Sequence, residues 1–390
     1  METWLIIGAA VFFLGILLTP ITIKSGAPLL LLFLGLGMLL GENGPGRIDF
    51  NNFQIAYDLG SIALAIILFA GGLETGIPDI KKAGVPALVL ATVGVCLTAA
   101  IVGGVIAYIC HIPLSIALLF GAVIGSTDAA ATFMSLQQRA INLVGRCKET
   151  ILLESGLNDP VAIFLSLALV SVVDNGVQTL GWPTVHILIA QLGLGIIFGI
   201  AGGFILAWLA NRVPLQSGLH AVFILAGCLF LFGVTTSLEG SGFLAVFVAG
   251  IVINAKVRDP LHNILNFHAG MAWLSQIGLF LMLGLLVTPK DLLKDAPQAL
   301  MIAAVLMFIA RPLAAMVSLA PLKFSFREQL FIGWVGLRGA VPIFLAIIPV
   351  ISPGPVTVEF FNEVFVVVIA SLVIQGWSIS FAAKVLKVKE

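Results

Sequence analysis

Residues 154–160 read ESGLNDP and set two acids, a serine and an asparagine inside an apolar run, between KETILL and VAIFLSLALVSVV. On a helix, Ser155 and Asp159 are i,i+4 neighbours, as are Glu154 and Asn158, so the four side chains form two adjacent polar rows. Pro160 withholds the N–H that would satisfy the carbonyl of Gly156. Two other apolar runs carry the same kind of interruption: GSTDAAATF (125–133) holds Asp128, and GLRGAVPIF (336–344) holds Arg338. The chemistry open to this set is a choice of ligand. A carboxylate in low dielectric takes up a proton readily, and stays charged instead if a cation neutralises it. Hard cations want oxygen ligands, which Asp159, Ser155, Asp128 and freed main-chain carbonyls supply. Proton and cation then compete for one site. If that site faces each side only when occupied, competition becomes exchange.

Two plainer readings compete. ESGLNDP has the composition of a turn, but cutting there leaves KETILL too short to cross a bilayer and upsets the charge alternation described below. Asp159 alone would suit a buried structural network without transport; Asp128, Glu154 and Arg338 at similar depth weigh against that, because intramembrane charges usually mark a pathway or a pair.

The elements that position these residues are membrane spans. Of the 390 residues, 60% are hydrophobic and 10% charged, whereas a soluble domain is about a quarter charged. The formal net charge is zero, so no basic surface recommends nucleic acid. The four cysteines show no CxxC or metal-ligand spacing. The first apolar run, WLIIGAAVFFLGILLTPI, lacks the basic start and cleavage site of a signal peptide and reads as a retained span. Apolar runs bounded by Pro, Gly or charge give about thirteen transmembrane helices of roughly 20 residues. They cover 4–22, 27–42, 55–74, 84–110, 113–137, 149–173, 184–211, 216–237, 240–255, 269–287, 296–319, 327–351 and 360–383. The predicted class is an all-α polytopic membrane protein.

An odd number of spans puts the termini on opposite sides. With the N-terminus outside and the C-terminus cytoplasmic, Arg47, Lys290 and Lys294 are the outer basic residues, Arg311 and Arg338 lie within spans, and the rest of the 19 Lys and Arg fall in inner loops or the tail. That asymmetry follows the positive-inside rule. Thirteen also divides into six, one and six: a first repeat over about 4–173, a linking helix over about 184–211, and a second repeat of inverted topology over about 216–383, a plan common among secondary transporters. Spans 5 and 12 then correspond, and both are expected to be discontinuous. In span 12, Pro342 cannot donate to the carbonyl of Arg338; span 5 has no proline, and its break rests on the correspondence. The chain is a single transmembrane domain with no cytosolic regulatory domain expected within it.

Asp58 and Glu74 lie nearer span ends. His262 and His268 are expected to share an inner loop with Lys256 and Arg258. LEGSG (238–242) either caps span 9 or shapes a turn, and GLGIIFGIAGGF (193–204) reads as small-residue helix packing rather than a phosphate loop. Arg311, before Pro312, either snorkels to the surface or joins a core network.

With those residues in view, GSTDAAATF, LESGLNDPVAIF, TTSLEGSGFLAVFVAGIVI, LGLLVTPKDLL and WVGLRGAVPIFLAIIP resemble the cation/proton antiporter-1 family. The nearest branch is similar to the NhaP-type bacterial potassium/proton antiporters, and the resemblance runs over roughly 5–385. It implies the inverted-repeat antiporter fold of the NhaA-like type, a homodimer in the bacterial inner membrane, and elevator-type alternating access. It makes Asp159 the carboxylate shared by cation and proton, with Asn158 beside it orienting the crossing. Thr127 offers a main-chain oxygen, Asp128 a water-mediated contact and Ser155 a side-chain oxygen, so the bound monovalent cation is expected at Asp159, Ser155 and Thr127. Glu154 is expected to pair with Arg338, since an unpaired buried arginine is prohibitive. The family's usual acid in ILFAGGLETG is replaced by Ala70, with Glu74 one turn later; Glu74 either takes over as a vestibule ligand or is an ordinary helix-end acid.

With Glu154 paired and Asp128 left to water and backbone, one exchanging carboxylate remains. The expected cycle is an electroneutral exchange of one proton per K+ or Na+, with potassium favoured. No cofactor is expected besides the transported ions. An enzyme is not: an intramembrane hydrolase needs a base beside its nucleophile, and no histidine falls in spans 5, 6 or 12, nor is there an HExxH motif. A passive channel needs a continuous pore rather than broken helices. An organic solute carrier on a similar fold, sodium-dependent or cation-independent, is the remaining rival, and cation-dependent proton movement separates the two.

Overall fold

The computed structural model is all-helical and describes residues 29–42, 44–128, 143–174, 182–258 and 261–388, with positions 9, 13, 15–17 and 132. The expected span 4–22 falls almost entirely outside the described residues. So do Lys24, Arg139, Lys389 and nearly all of span 5 beyond Asp128.

In chain order the helices are α1 (Leu29–Leu40), α2 (Phe53–Glu74), α3 (Ile77–Cys110), α4 (Leu114–Val123) and α5 (Cys147–Asp174). Next come α6 (Trp182–Arg212), α7 (Ser217–Ser237), α8 (Gly242–Lys256) and α9 (Leu261–Leu285). Helix α10 starts as Pro289–Val305 and continues through a π turn to Arg311–Leu319. Last are α11 (Phe326–Val335), α12 (Ala340–Ile351) and α13 (Val358–Val385). Eight described helices are long and apolar enough to cross a membrane, or nine if the bent pair α11–α12 is one span. Helices α1, α4 and α8 are apolar but shorter.

Helix starts follow local chemistry. Asn52 caps α2 by accepting from the N–H of Ile55 at 2.9 Å. Ser241, in LEGSG, caps α8 through the N–H of Leu244. Ser325 and Glu328 close a capping box at the start of α11. Three helices begin earlier than hydropathy suggests: α3 at Ile77, α9 at Leu261 and α10 at Pro289. The α9 start corrects the expected inner loop: His262 and His268 are helical, and His268 is fully buried, its ring edge-on to Phe69. The polar residues of LHNILNFH had masked one more helical turn or two.

The helices gather into two bodies. Helices α1, α2 and α6–α9 pack among themselves, and α3–α5 pack with α10–α13. In the first body, Gly199 and Gly203 of α6 lie so close to Ala245 and Ala249 of α8 that a Cβ would touch their backbone.

Among the described residues, two features occur once in each half of the chain. Helices α3 and α10 each contain a π turn, at Leu90–Gly94 and Leu306–Ala310. Helix α4 stops at Val123 and gives way to non-helical backbone through Asp128, while α11 and α12 are separated at 336–339 and bent by 57°. The α11–α12 break precedes Pro342 rather than centring on it. Pro342 sits in the first turn of α12, where a missing N–H leaves no helical bond unmade.

Candidate functional site

The two interruptions meet against the middle of α5. The N–H of Asp128 donates to the carbonyl of Leu337 at 2.7 Å, joining one break to the other. Arg338 reaches back across the same junction, its Nη1 donating to the carbonyls of Gly125 at 2.7 Å and Ser126 at 2.5 Å. Those carbonyls lie just past the end of α4, where helical partners run out. The Asp128 carboxylate packs against Gly339, where any Cβ would overlap it. This sets a negative group at the N-terminal end of α12, where the helix dipole favours one.

Helix α5 runs unbroken through Pro160 and turns its polar rows toward this junction. Asp159 accepts a hydrogen bond from the Ser126 hydroxyl on Oδ1. Thr127 Oγ1 lies 2.9 Å from Ser155 Oγ and accepts from Asn158 Nδ2 at 2.6 Å. Asn158 Nδ2 also donates to Glu154 Oε1 at 2.9 Å, and its Oδ1 accepts from the N–H of Thr127 at 3.4 Å. Glu154, Ser155, Asn158, Asp159, Ser126 and Thr127 are all buried. Buried polar groups in a membrane persist only when partnered or facing a wet cavity, and both conditions occur here.

The expected ion pair of Glu154 with Arg338 is not the one formed. Glu154 Oε1 lies 2.8 Å from Nη2 of Arg311, with the two side chains 2% and 1% exposed. Arg311 leaves α10 directly after its π turn and points into the core. Its path requires Gly336, where a Cβ would come within 2.8 Å of the Arg311 Nε. Arg338 instead donates to the carbonyls of the first break. Of the two readings left open for Arg311, core network holds.

A cavity of about 620 Å³ opens between the two helix bodies and reaches Asp159. Asp128, Ser155, Gly156, Ala340 and Val341 line its deep end with Asp159, and Phe247 and Gln276 line it from the opposite body. Glu74, Thr75, Asp79, Lys148 and Glu149 also border it, and Ala70 does too. Asn158, Thr127 and Glu154 are not among its lining residues; they stand behind Asp159 and Ser155 and fix their positions. Glu74 is solvent-exposed at the end of α2, and so is brought to the same cavity as Asp159.

Ser126 was missed by sequence reasoning, although GSTD contains it. A serine beside an interrupted helix reads as a cap, and only the crossing of α5 turns its hydroxyl onto Asp159. Among the described residues, no group of three or more His, Cys, Asp or Glu could hold a metal ion. The donor set is one of hydroxyls, amides, carbonyls and carboxylates, suited to a weakly held hard cation.

A family model described as sodium/hydrogen exchanger, transmembrane, matches residues 9–385. The chain belongs to that family. It is therefore a multi-pass membrane protein of a transporter family. A K(+)/H(+) antiporter NhaP of Alkalimonas amylolytica is 46% identical over 388 residues, covering 99% of this chain and 67% of the relative. A K(+)/H(+) antiporter NhaP2 of Shewanella sp. (strain MR-4) is 43% identical over 390 residues, covering 100% of this chain and 68% of the relative. The fold is similar to that of the sodium proton antiporter MjNhaP1 from Methanocaldococcus jannaschii. That structure superposes with a TM-score of 0.84 at 23% identity, covering 99% of this chain and 100% of that one.

Proposed function

We propose that this member of the sodium/hydrogen exchanger family exchanges a monovalent cation, potassium or sodium, for a proton across the membrane. Asp159 carries either the cation or the proton. The observation that carries this reading is the position of Asp159: buried on an unbroken helix, at the deep end of a cavity, where two interrupted helices leave hydroxyl and carbonyl oxygens around it. A carboxylate so placed must be neutralised before it can cross the membrane interior, by a proton or by a cation. Ser155, Asp128 and the main-chain oxygen of Thr127 complete the oxygen set, and the Asn158 side chain holds the Thr127 hydroxyl and Glu154 in register. The names of the relatives favour potassium.

The finer features follow from the same reading. The body of α3–α5 and α10–α13 carries Asp159 past the other body as an elevator. The two π turns and two interrupted spans support inverted repeats of about 4–173 and 216–383, linked by α6. The protein works as a homodimer in the bacterial inner membrane, its N-terminus outside and its basic loops inside. Glu74 serves as a vestibule acid at the cavity mouth.

The test is proton movement in proteoliposomes made with the purified protein. An imposed pH gradient should collapse on adding potassium or sodium chloride and not on adding choline chloride. Proton movement independent of any monovalent cation would favour an organic solute carrier on this fold.

A further inference from the structure

The break between α11 and α12 gives up several helical hydrogen bonds, and the two groups of one of them are taken up by α13. In a continuous helix the N–H of Arg338 would donate to the carbonyl of Trp334, four residues earlier. Here both groups are turned to α13 instead. The N–H of Arg338 donates to Ser371 Oγ at 3.1 Å. The Ser371 hydroxyl donates to Gln375 Oε1 at 2.6 Å. Gln375 Nε2 then donates to the carbonyl of Trp334 at 2.7 Å. The two side chains are i,i+4 neighbours on α13 and are 0% and 1% exposed. One turn further, Ser378 Oγ accepts from the Trp334 indole N–H at 2.9 Å.

We propose that Ser371 and Gln375 are positioning residues for the Asp159 site, standing in for one helical bond that the break gives up. The inference rests on the transport reading above for its kinetic consequence, though not for its structural one. The side-chain relay gives both groups partners and so fixes the backbone of the open break at 336–339. The open break fixes the backbone of Arg338. Its guanidinium then holds the carbonyls of Gly125 and Ser126, and Ser126 holds Asp159. Helix α13, which does not line the cavity, thereby sets the geometry of the carboxylate that does.

Two neighbouring carbonyls find their partners outside α13. The carbonyl of Val335 accepts from the N–H of Leu337 at 2.7 Å and from Thr132 Oγ1 at 3.3 Å, and the carbonyl of Leu337 accepts from Asp128. The relay therefore serves one lost pair, the N–H of Arg338 and the carbonyl of Trp334, for which α13 supplies the partners. A buried polar pair serving only α13 itself would bond to its own turn, as Ser378 also does to Ile374.

The experiment compares Ser371→Ala, Ser371→Thr and Gln375→Met with the parent protein in two ways. The first is hydrogen–deuterium exchange of the peptide spanning the break. Ser371→Ala and Gln375→Met should speed exchange in 336–342 while α5 and α8 keep parental rates; Ser371→Thr, which keeps the hydroxyl, should leave it near parental. The second is cation-driven proton movement. The Ala and Met variants should raise the apparent KM for potassium about two- to tenfold, the worth of one net hydrogen bond, at a maximal rate within about twofold of parental. The Thr variant should remain close to the parent. Unchanged exchange and unchanged KM in the Ala and Met variants would overturn the proposal, as would a Thr variant as impaired as Ala. If Ser371→Ala does not fold, Gln375→Met decides. A parent protein inert to cations would sink the transport reading alone, because the exchange measurement still decides the relay.

Discussion

Arg311 reaches from α10 to within 2.8 Å of Glu154 on α5, with both side chains almost wholly buried. The same Glu154 oxygen takes the Asn158 amide, so the arginine anchors the row that backs the cavity. Removing one partner of a buried pair costs about 3–5 kcal/mol because the other charge is stranded. Arg311→Met and Glu154→Gln should each lower the unfolding midpoint of the purified protein sharply. The double variant should lose less than the sum. The matching cycle of Glu154→Gln with Arg338→Met should couple more weakly, since Arg338 is held by main-chain carbonyls. Stronger coupling to Arg338 than to Arg311 would contradict the pairing.

Ser126 is the hydroxyl on Asp159, and its loss should be felt in binding. Ser126→Ala is expected to raise the apparent KM for the cation about two- to tenfold, with thermal stability little changed. A parental KM measured over a potassium titration would remove Ser126 from the site.

Much of this arrangement is legible in the sequence where the signal is local. Polar ESGLNDP within an apolar run announces α5 and its two polar rows, and GLRGAVP announces an interruption before α12. What is not legible depends on which helices cross. Two arginines, Arg311 and Arg338, compete for Glu154, and spacing along the chain cannot choose between them. The choice is made by the π turn that aims Arg311 inward and by Gly336, which leaves it room. Ser371 and Gln375 read as ordinary polar residues of a long span until α13 is seen against the break. His268 shows the opposite: a local polar cluster reads as a loop, and tertiary burial makes it helix.

Glu74 tests the missing acid at Ala70, since both border the same cavity. As a vestibule group, Glu74 should attract cations without holding them. Glu74→Gln is then expected to raise the apparent KM at low ionic strength with the maximal rate nearly intact. At about 1 M salt, where the Debye length is near 3 Å, the difference should vanish. An unchanged KM at low ionic strength would return Glu74 to the role of a helix-end acid.

Stoichiometry follows from which carboxylates are already committed. Glu154 is neutralised by Arg311, Asn158 does not titrate, and Asp128 is set against the N-terminus of α12. On the proposed reading one carboxylate is left to trade one proton for one cation, which predicts an electroneutral cycle. Exchange rates in proteoliposomes at a fixed pH gradient should not respond to a clamped potential. Each net charge moved would add about 2.3 kcal/mol per 100 mV, so a reversal point that tracks the potential would reveal a second moving charge. Comparing potassium with sodium in the same vesicles reads selectivity directly.

The central claim is that Asp159 carries both ligands, and Asp159→Asn tests it most directly. The substitution keeps size and hydrogen bonding near Ser126 while removing the charge that trades proton for cation. The measurement is cation-driven proton flux in proteoliposomes, alongside an unfolding midpoint to establish that the variant is folded. The account predicts a folded protein with no flux above that of empty vesicles, for potassium and sodium alike. Substantial cation-driven flux from the folded Asp159→Asn protein would contradict it.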